Sequence, residues 1–430
     1  MTAAPQLSIR HVAAAVSGNA LEFYDFITYA FFAVQIGHVF FPAHSAYVSL
    51  MLSLGTFAAG FVMRPVGGIV IGRYADRVGR RPAMQFSLML MGAAILAVAI
   101  TPSYQAIGVA APVLVIVARM AQGFALGGQV GPATAYLMEA APPGERGFYA
   151  ALQGGSQYVA SLAGGLVGVL LSALMNGAEL QAYGWRIAFL LGVLALPIGL
   201  RLLRDLPETL HLPDAAAPRA RPASSWELWR AHGRVIVLGL ITLASATIFT
   251  YVANYMTTFA ETVLHLGSGV AFAATLVTGV CGIAGALSGA WLSDRTGRLP
   301  SMIWPRVLYL LLVWPLYLWM VSERSAAAVL CTSALLVLLG TMSFGPYYAA
   351  LTECLPRSIR GSTFGTIYAV SIAIFGGSAQ LIVTWLIHVT GNPLAPAWYL
   401  IASGVCGLVS VALMPETAPI RIGFAAAAAE

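Results

Sequence analysis

The chain has 430 residues, 59% of them hydrophobic and only 9% charged, whereas an ordinary soluble domain is about one-quarter charged. That is too little charge to coat a globule of this size, which excludes a soluble enzyme, a disordered chain and a nucleic-acid binder and leaves a polytopic membrane protein. All 22 basic residues are arginine and the net charge is +6; in a membrane protein such an excess marks loops held on the cytoplasmic side, not a polyanionic partner.

At about 20 apolar residues per span, this length holds ten to twelve helices. Twelve apolar segments are visible, at 11–36, 48–71, 84–100, 107–138, 149–175, 185–203, 235–263, 270–292, 302–321, 326–353, 363–388 and 398–414. They lack the two-residue alternation of a transmembrane barrel and are expected to be helices, because lipid leaves backbone groups no other partner. The first carries charge and is too long for a cleavable signal, so it is expected to be retained.

That first segment contains SGNALEFYDF at 17–26. Glu22 and Asp25 lie 11 and 14 residues in from His11, near the bilayer centre at about 1.5 Å per residue. An unpaired carboxylate there costs several kcal/mol. Both are candidates for ion coupling or for a structural pair with an arginine of the same half. Asn19 shares a face with Glu22.

Segment two holds Arg64 in FVMRPVGG (61–68), nearer the cytoplasmic side, which serves either substrate contact or packing and gating. It ends in GRYADRVGRRP (72–82). There Asp76 with Arg77, Arg80 and Arg81 is placed to latch one conformation through ion pairs that break in another; the alternative is simple anchoring by positive charge. Segment four holds Arg119, about 20 residues from Glu139 at its cytoplasmic end and so also near mid-depth. Arginine forks onto carboxylates, so Arg119 either binds an anion in a central cavity or pairs with Glu22 or Asp25. Gln122, Gln129, Gln153, Gln157, Tyr251, Asn254, Tyr255, Tyr347, Tyr348 and Tyr368 add polar groups at cavity-facing spacing, each of which could instead be a helix–helix hydrogen bond.

The stretch 205–234, rich in Pro, Ala and charge, reads as a cytoplasmic linker between an N-terminal six-helix bundle (1–204) and a C-terminal one (235–430). The halves echo each other. Asp76, Gly79, Arg80 and Pro82 map at one offset onto Asp294, Gly297, Arg298 and Pro300 in GAWLSDRTGRLP (289–300). Glu139, Pro142, Arg146 and Gly147 map at another onto Glu353, Pro356, Arg360 and Gly361, and Pro207-Glu208-Thr209 recurs as Pro415-Glu416-Thr417. Asp294, Arg295 and Arg298, with the Glu139/Arg146 and Glu353/Arg360 pairs, are therefore further gating candidates. Duplicated halves around a mid-membrane site are the architecture of secondary transporters. Loop arginines fall almost wholly on one side, which puts both termini in the cytoplasm.

Histidines and cysteines show no metal-ligand or paired spacing, and no nucleotide fingerprint occurs. No metal or cofactor is expected, and without a nucleotide site the energy source is an ion gradient.

The duplicated loop motif resembles that of the major facilitator superfamily across the whole chain. SGNALEFYDF (17–26), ARMAQGFALGG (118–128), GFYAALQGGSQYVA (147–160), GWRIAF (184–189) and TECLPRSIRG (352–361) resemble its metabolite:proton symporter branch. SYQAIGVAAPVLV (103–115), TIFTYVANYMTTFAETVL (247–264) and IFGG (374–377) are most similar to citrate–proton symporters and tricarballylate permeases. The resemblance implies an all-α fold of twelve transmembrane helices in two pseudo-symmetric bundles. It also implies uptake of a tricarboxylate with a proton or sodium across a bacterial inner membrane by a protein acting as a monomer in the lipid bilayer. Arg119 would hold a substrate carboxylate, with Asn19, Gln157 and Tyr255 as further contacts. Citrate members carry Glu where this chain has Gln129, which would leave coupling to Glu22 or Asp25. A dicarboxylate or a zwitterionic osmolyte is the alternative cargo, and a non-transporting receptor is a more distant one.

Overall fold

The computed structural model describes residues 9–140, 146–204, 232–355 and 360–422. Helix is the only regular structure among them. Twelve long helical runs follow one another. In the first half these are α1 (Ile9–Phe31, continued by Ala33–Phe40), α2 (Ala46–Val62, then Arg64–Val78), α3 (Arg80–Ile100), α4 (Ala110–Ala140), α5 (Arg146–Leu174) and α6 (Trp185–Arg204). In the second they are α7 (Gly233–Asn254, then Met256–Thr262), α8 (Ser268–Thr296), α9 (Arg298–Glu323), α10 (Ala326–Phe344, then Tyr347–Glu353), α11 (Arg360–Ser371 and Gly377–Thr390) and α12 (Ala395–Ala412). Eleven helices are long and apolar enough to cross a membrane among the described residues; α1, with Asn19, Glu22 and Asp25, completes the twelve. Most of the linker at 205–234 lies outside the described residues.

The expected segments match these runs, but five expected continuous helices are interrupted, α1 among them at Phe32. α2 restarts at Arg64-Pro65, and α10 breaks at Gly345-Pro346, where proline supplies no backbone donor. α7 pauses at Tyr255. α11 contains a π-helical turn at Ile372–Gly376, a feature that concentrates at functional sites.

Each half packs within itself: α4 against α2 and α3, α1 against α5 and α6, α8 against α10, and α7 against α12. The halves meet chiefly along α5 against α8 and α2 against α11. At the first seam the backbones nearly touch. A Cβ on Gly165 would fall 2.5 Å from the Leu276 nitrogen, so only glycine allows this approach. The duplication is visible in backbone geometry as well. Gly79 and Gly297, matched by the sequence echo, end α2 and α8 with φ of 125° and 112°, a region closed to other residues without strain.

Candidate functional site

At the centre of the molecule, helices α1, α2, α4 and α7 converge on a cluster of aromatic rings and arginines. Phe26 and Tyr29 come from α1, Phe57 and Phe61 from the first part of α2, and Tyr251 from α7; all five are buried. The Arg119 guanidinium lies 4.5 Å from the ring centres of both Phe26 and Tyr29. That of Arg64 lies 4.3 Å from those of Phe26 and Phe61. The break before Arg64 lets its long side chain turn into this cluster. The negative ring faces compensate part of the cost of burying the two cations.

Arg119 donates from Nη1 to Gln122 Oε1 at 2.5 Å. Among the described residues its Nε and Nη2, and all three nitrogens of Arg64, meet no acceptor at hydrogen-bonding geometry, although the Tyr251 hydroxyl lies close enough to interact with Arg64. Asp25 is fully buried, neither carboxylate oxygen accepts a hydrogen bond from a described residue, and it acts electrostatically on Arg119. The described pocket therefore holds two guanidiniums against one carboxylate, with five guanidinium nitrogens that meet no well-placed acceptor among the described residues. In a water-excluded space such an imbalance costs several kcal/mol unless an anion answers it.

The remaining expected contacts do not all meet here. Asn19 donates to Ser156 Oγ at 2.5 Å and ties α1 to α5. Gln157 and Tyr348 line a cavity of about 60 Å³ between α5, α7 and α10. Tyr255 lines a recess of about 250 Å³ on the face opposite the duplicated loops, with His38, Tyr47, Thr384 and His388, and its hydroxyl accepts from Thr384 Oγ1 at 2.9 Å. The sequence candidates are thus strung along the seam between the halves, and Tyr255 stands apart from the arginines, one turn beyond Tyr251 along α7. The side chains of Glu22 and Gln129 lie outside the described residues. The aromatic platform of Phe26, Tyr29, Phe57 and Phe61 is absent from the sequence-based candidates; aromatics spaced along α1 and α2 look like ordinary core.

Both ends of the seam are closed. On the face of the duplicated loops, Arg298 forks onto Glu353 at 2.8 and 3.0 Å and reaches Asp294 at 2.5 Å. Asp294 also accepts from the backbone N–H of Phe148, at the start of α5 in the other half, at 3.1 Å. Glu416, in the repeated Pro-Glu-Thr, caps α9 by accepting from the backbone of Arg298 and Leu299 at 2.8 and 3.0 Å. Arg295 lies apart from this cluster, 3.9 Å above Trp291, and Arg77 is exposed. Arg81 is half-buried. The side chains of Asp76, Arg80, Glu139, Arg146 and Arg360 lie outside the described residues. On the opposite face Tyr47 and His388 stack at 3.8 Å, and Gln35 donates to Glu261 at 3.4 Å, each pair joining the two halves. The central arginines are shut off from both sides.

Twelve helices in two halves, closed around a buried charged pocket with contacts at either end, define a secondary transporter working by alternating access. The chain belongs to the Major Facilitator Superfamily, whose family model matches residues 15–379. It is a multi-pass membrane transporter and not an enzyme. It is 37% identical to the citrate-proton symporter of Salmonella typhi over 93% of this chain and 92% of that protein. It is 36% identical to the alpha-ketoglutarate permease of Escherichia coli (strain K12) over 96% and 95%. The fold is similar to the crystal structure of a D-xylose-proton symporter, with a TM-score of 0.74 and 19% identity over 95% of this chain and 98% of that one.

Proposed function

We propose that the chain imports citrate by proton symport across a bacterial inner membrane. The observation that carries this reading is the pair of buried guanidiniums on Phe26, opposed by one described carboxylate. Substrate carboxylates take the open donors of Arg119 and Arg64, with Gln122 orienting Arg119. Asp25 carries the coupling proton. An anion on Arg119 cancels the charge that Asp25 faces, and a proton on Asp25 releases Arg119 for the anion, so each favours binding of the other. Tricarballylate, which lacks only the hydroxyl of citrate, shares the same three carboxylates. A betaine-like cargo fits less well, because the ring faces that would cradle its ammonium group are covered by the protein's own arginines.

Two six-helix bundles, 1–204 and 235–430, rock about the pocket, joined by the 205–234 linker, in a protein acting as a monomer. The arginine-rich connections put the linker and both termini on the cytoplasmic side. The Asp294–Arg298–Glu353 cluster then latches the cytoplasmic end, and Tyr47–His388 with Gln35–Glu261 closes the outer end. The similarity to the permease supports a second reading, a dicarboxylate cargo held by the same arginines. The test is counterflow of labelled citrate in proteoliposomes against unlabelled citrate, tricarballylate, 2-oxoglutarate and glycine betaine, repeated under separate proton and sodium gradients. Citrate and tricarballylate should compete best, and a proton gradient alone should drive accumulation. Preferential competition by 2-oxoglutarate favours the dicarboxylate reading, and drive by sodium alone refutes proton coupling.

A further inference from the structure

A third arginine is buried in the chain, away from the central pocket. Arg306 lies on α9, 1% exposed, among α7, α10 and α12 of the C-terminal half. Its Nε donates to Ser343 Oγ at 3.1 Å, and its guanidinium stands 4.3 Å from the centre of the Phe344 ring. Among the described residues Nη1 and Nη2 meet no acceptor, and the nearby hydroxyl of Tyr309 meets no partner either. Among the described residues the ionisable groups that act on Arg306 are Tyr309 and Tyr347, and neither is an acid. Arginine does not shed its proton in proteins, so a full positive charge sits in the bundle with no carboxylate of the described residues to answer it.

Packing alone does not demand that charge. The offset that pairs the duplicated loops matches Arg306 with Leu88 of α3, an apolar side chain as completely buried. The surroundings make room for the guanidinium and for little else. A Cβ at Gly407 would lie 2.7 Å from Arg306 Nη1 and 2.6 Å from Ser245 Oγ. Beside them is a cavity of about 10 Å³, bordered by Arg306, Ser245, Tyr309, Ser343 and Ser403. That is room for a single water-sized species, and far too small for an organic acid. The Phe344 ring separates it from the cavity of Gln157 and Tyr348, which it also borders.

We propose that the C-terminal half holds one small monovalent anion of the halide class at Arg306, bound by Nη1 and Nη2 with the hydroxyls of Ser245 and Tyr309 and separate from the transported substrate. The anion neutralises the guanidinium and clasps α9 to α7, so the stability of this half depends on the anion present.

The experiment is thermal unfolding of purified protein without citrate, at fixed ionic strength, in sodium chloride, sodium bromide or sodium gluconate, with Arg306→Met alongside. The wild type should unfold several degrees lower in gluconate, with saturable recovery as chloride or bromide is titrated back. Arg306→Met, which removes the charge and keeps the bulk, should unfold at one temperature in all three salts. In crystals of the wild type grown in bromide, an anomalous peak should stand beside Nη1 and Nη2, a result that does not depend on the variant folding. Equal unfolding temperatures in chloride and gluconate, an unchanged halide response in Arg306→Met, or no anomalous peak at Arg306 would each overturn the proposal.

Discussion

Arg64 and Arg119 share the ring of Phe26, their guanidinium carbons 4.3 and 4.5 Å from its centre. Two like charges held against one ring repel, and the buried surroundings give that repulsion little screening. An anion with more than one carboxylate relieves it by bridging the pair, which ties the chemistry of the cargo to the geometry of the empty-handed donors.

Arg119→Lys keeps the charge but loses the planar fork and its fit between Phe26 and Tyr29. Losing one charge-assisted hydrogen bond costs about 1.5–3 kcal/mol. Citrate uptake in proteoliposomes should therefore show a KM raised by about 10- to 100-fold. An unchanged KM would remove Arg119 from the substrate site.

Asp25→Asn removes the titratable group beside Arg119 while keeping its shape. Counterflow of citrate, which needs no net driving force, should persist. Accumulation driven by a proton gradient should fall to the level of passive equilibration. Proton-driven accumulation equal to wild type would shift the coupling role to another residue, with Glu22 as the next to test.

Much of this site was legible from sequence because charge in hydrocarbon is costly: Asp25 and Arg119 stand out by depth alone, and the duplicated loops announce the two halves. Arg64 was harder to place. Counted along a straight helix it sits toward the cytoplasmic end, but the restart of α2 at Arg64-Pro65 and the length of the side chain bring its head to Phe26. Tyr255 lies one turn beyond Tyr251, which places it in the recess with Tyr47 and His388 and not beside the arginines. Arg306 answers to the same depth argument as Arg119, yet it belongs to no repeated motif that would mark it in the sequence. The role of the Pro-Glu-Thr repeat was not legible either, because capping of α9 by Glu416 is a contact between segments more than a hundred residues apart.

Asp294→Ala removes both the Arg298 contact and the acceptor for the Phe148 amide across the seam. The end of the seam beside the duplicated loops, cytoplasmic in the proposed orientation, should open more often. A cysteine placed at Ala246, in the cavity of Gln157 and Tyr348, should then react faster, by about 10-fold or more, with a membrane-impermeant thiol reagent added from that side, since loss of a charge-assisted contact is worth about 1.5–3 kcal/mol. An unchanged rate would argue that Asp294 only braces its own half.

Gly165→Leu sets a side chain where the α5 and α8 backbones nearly touch. Overpacking of this kind costs about 1–3 kcal/mol where the structure cannot relax, and here it falls on closure of the seam. The variant should be made, remain monodisperse and lose most transport, and a spin-label distance across the outer ends of α5 and α8 should lengthen. Wild-type transport would show that the close approach is not needed in the cycle.

The central claim is that the buried arginines receive the substrate's carboxylates, and equilibrium binding tests it most directly. Citrate titrated calorimetrically into purified wild type, Arg64→Gln and Arg119→Gln should bind the wild type saturably. Each variant, shown by its unfolding transition to be folded, should bind about 10- to 100-fold more weakly, as expected for the loss of a charge-assisted contact. Citrate affinity in folded Arg119→Gln equal to that of the wild type would contradict the account.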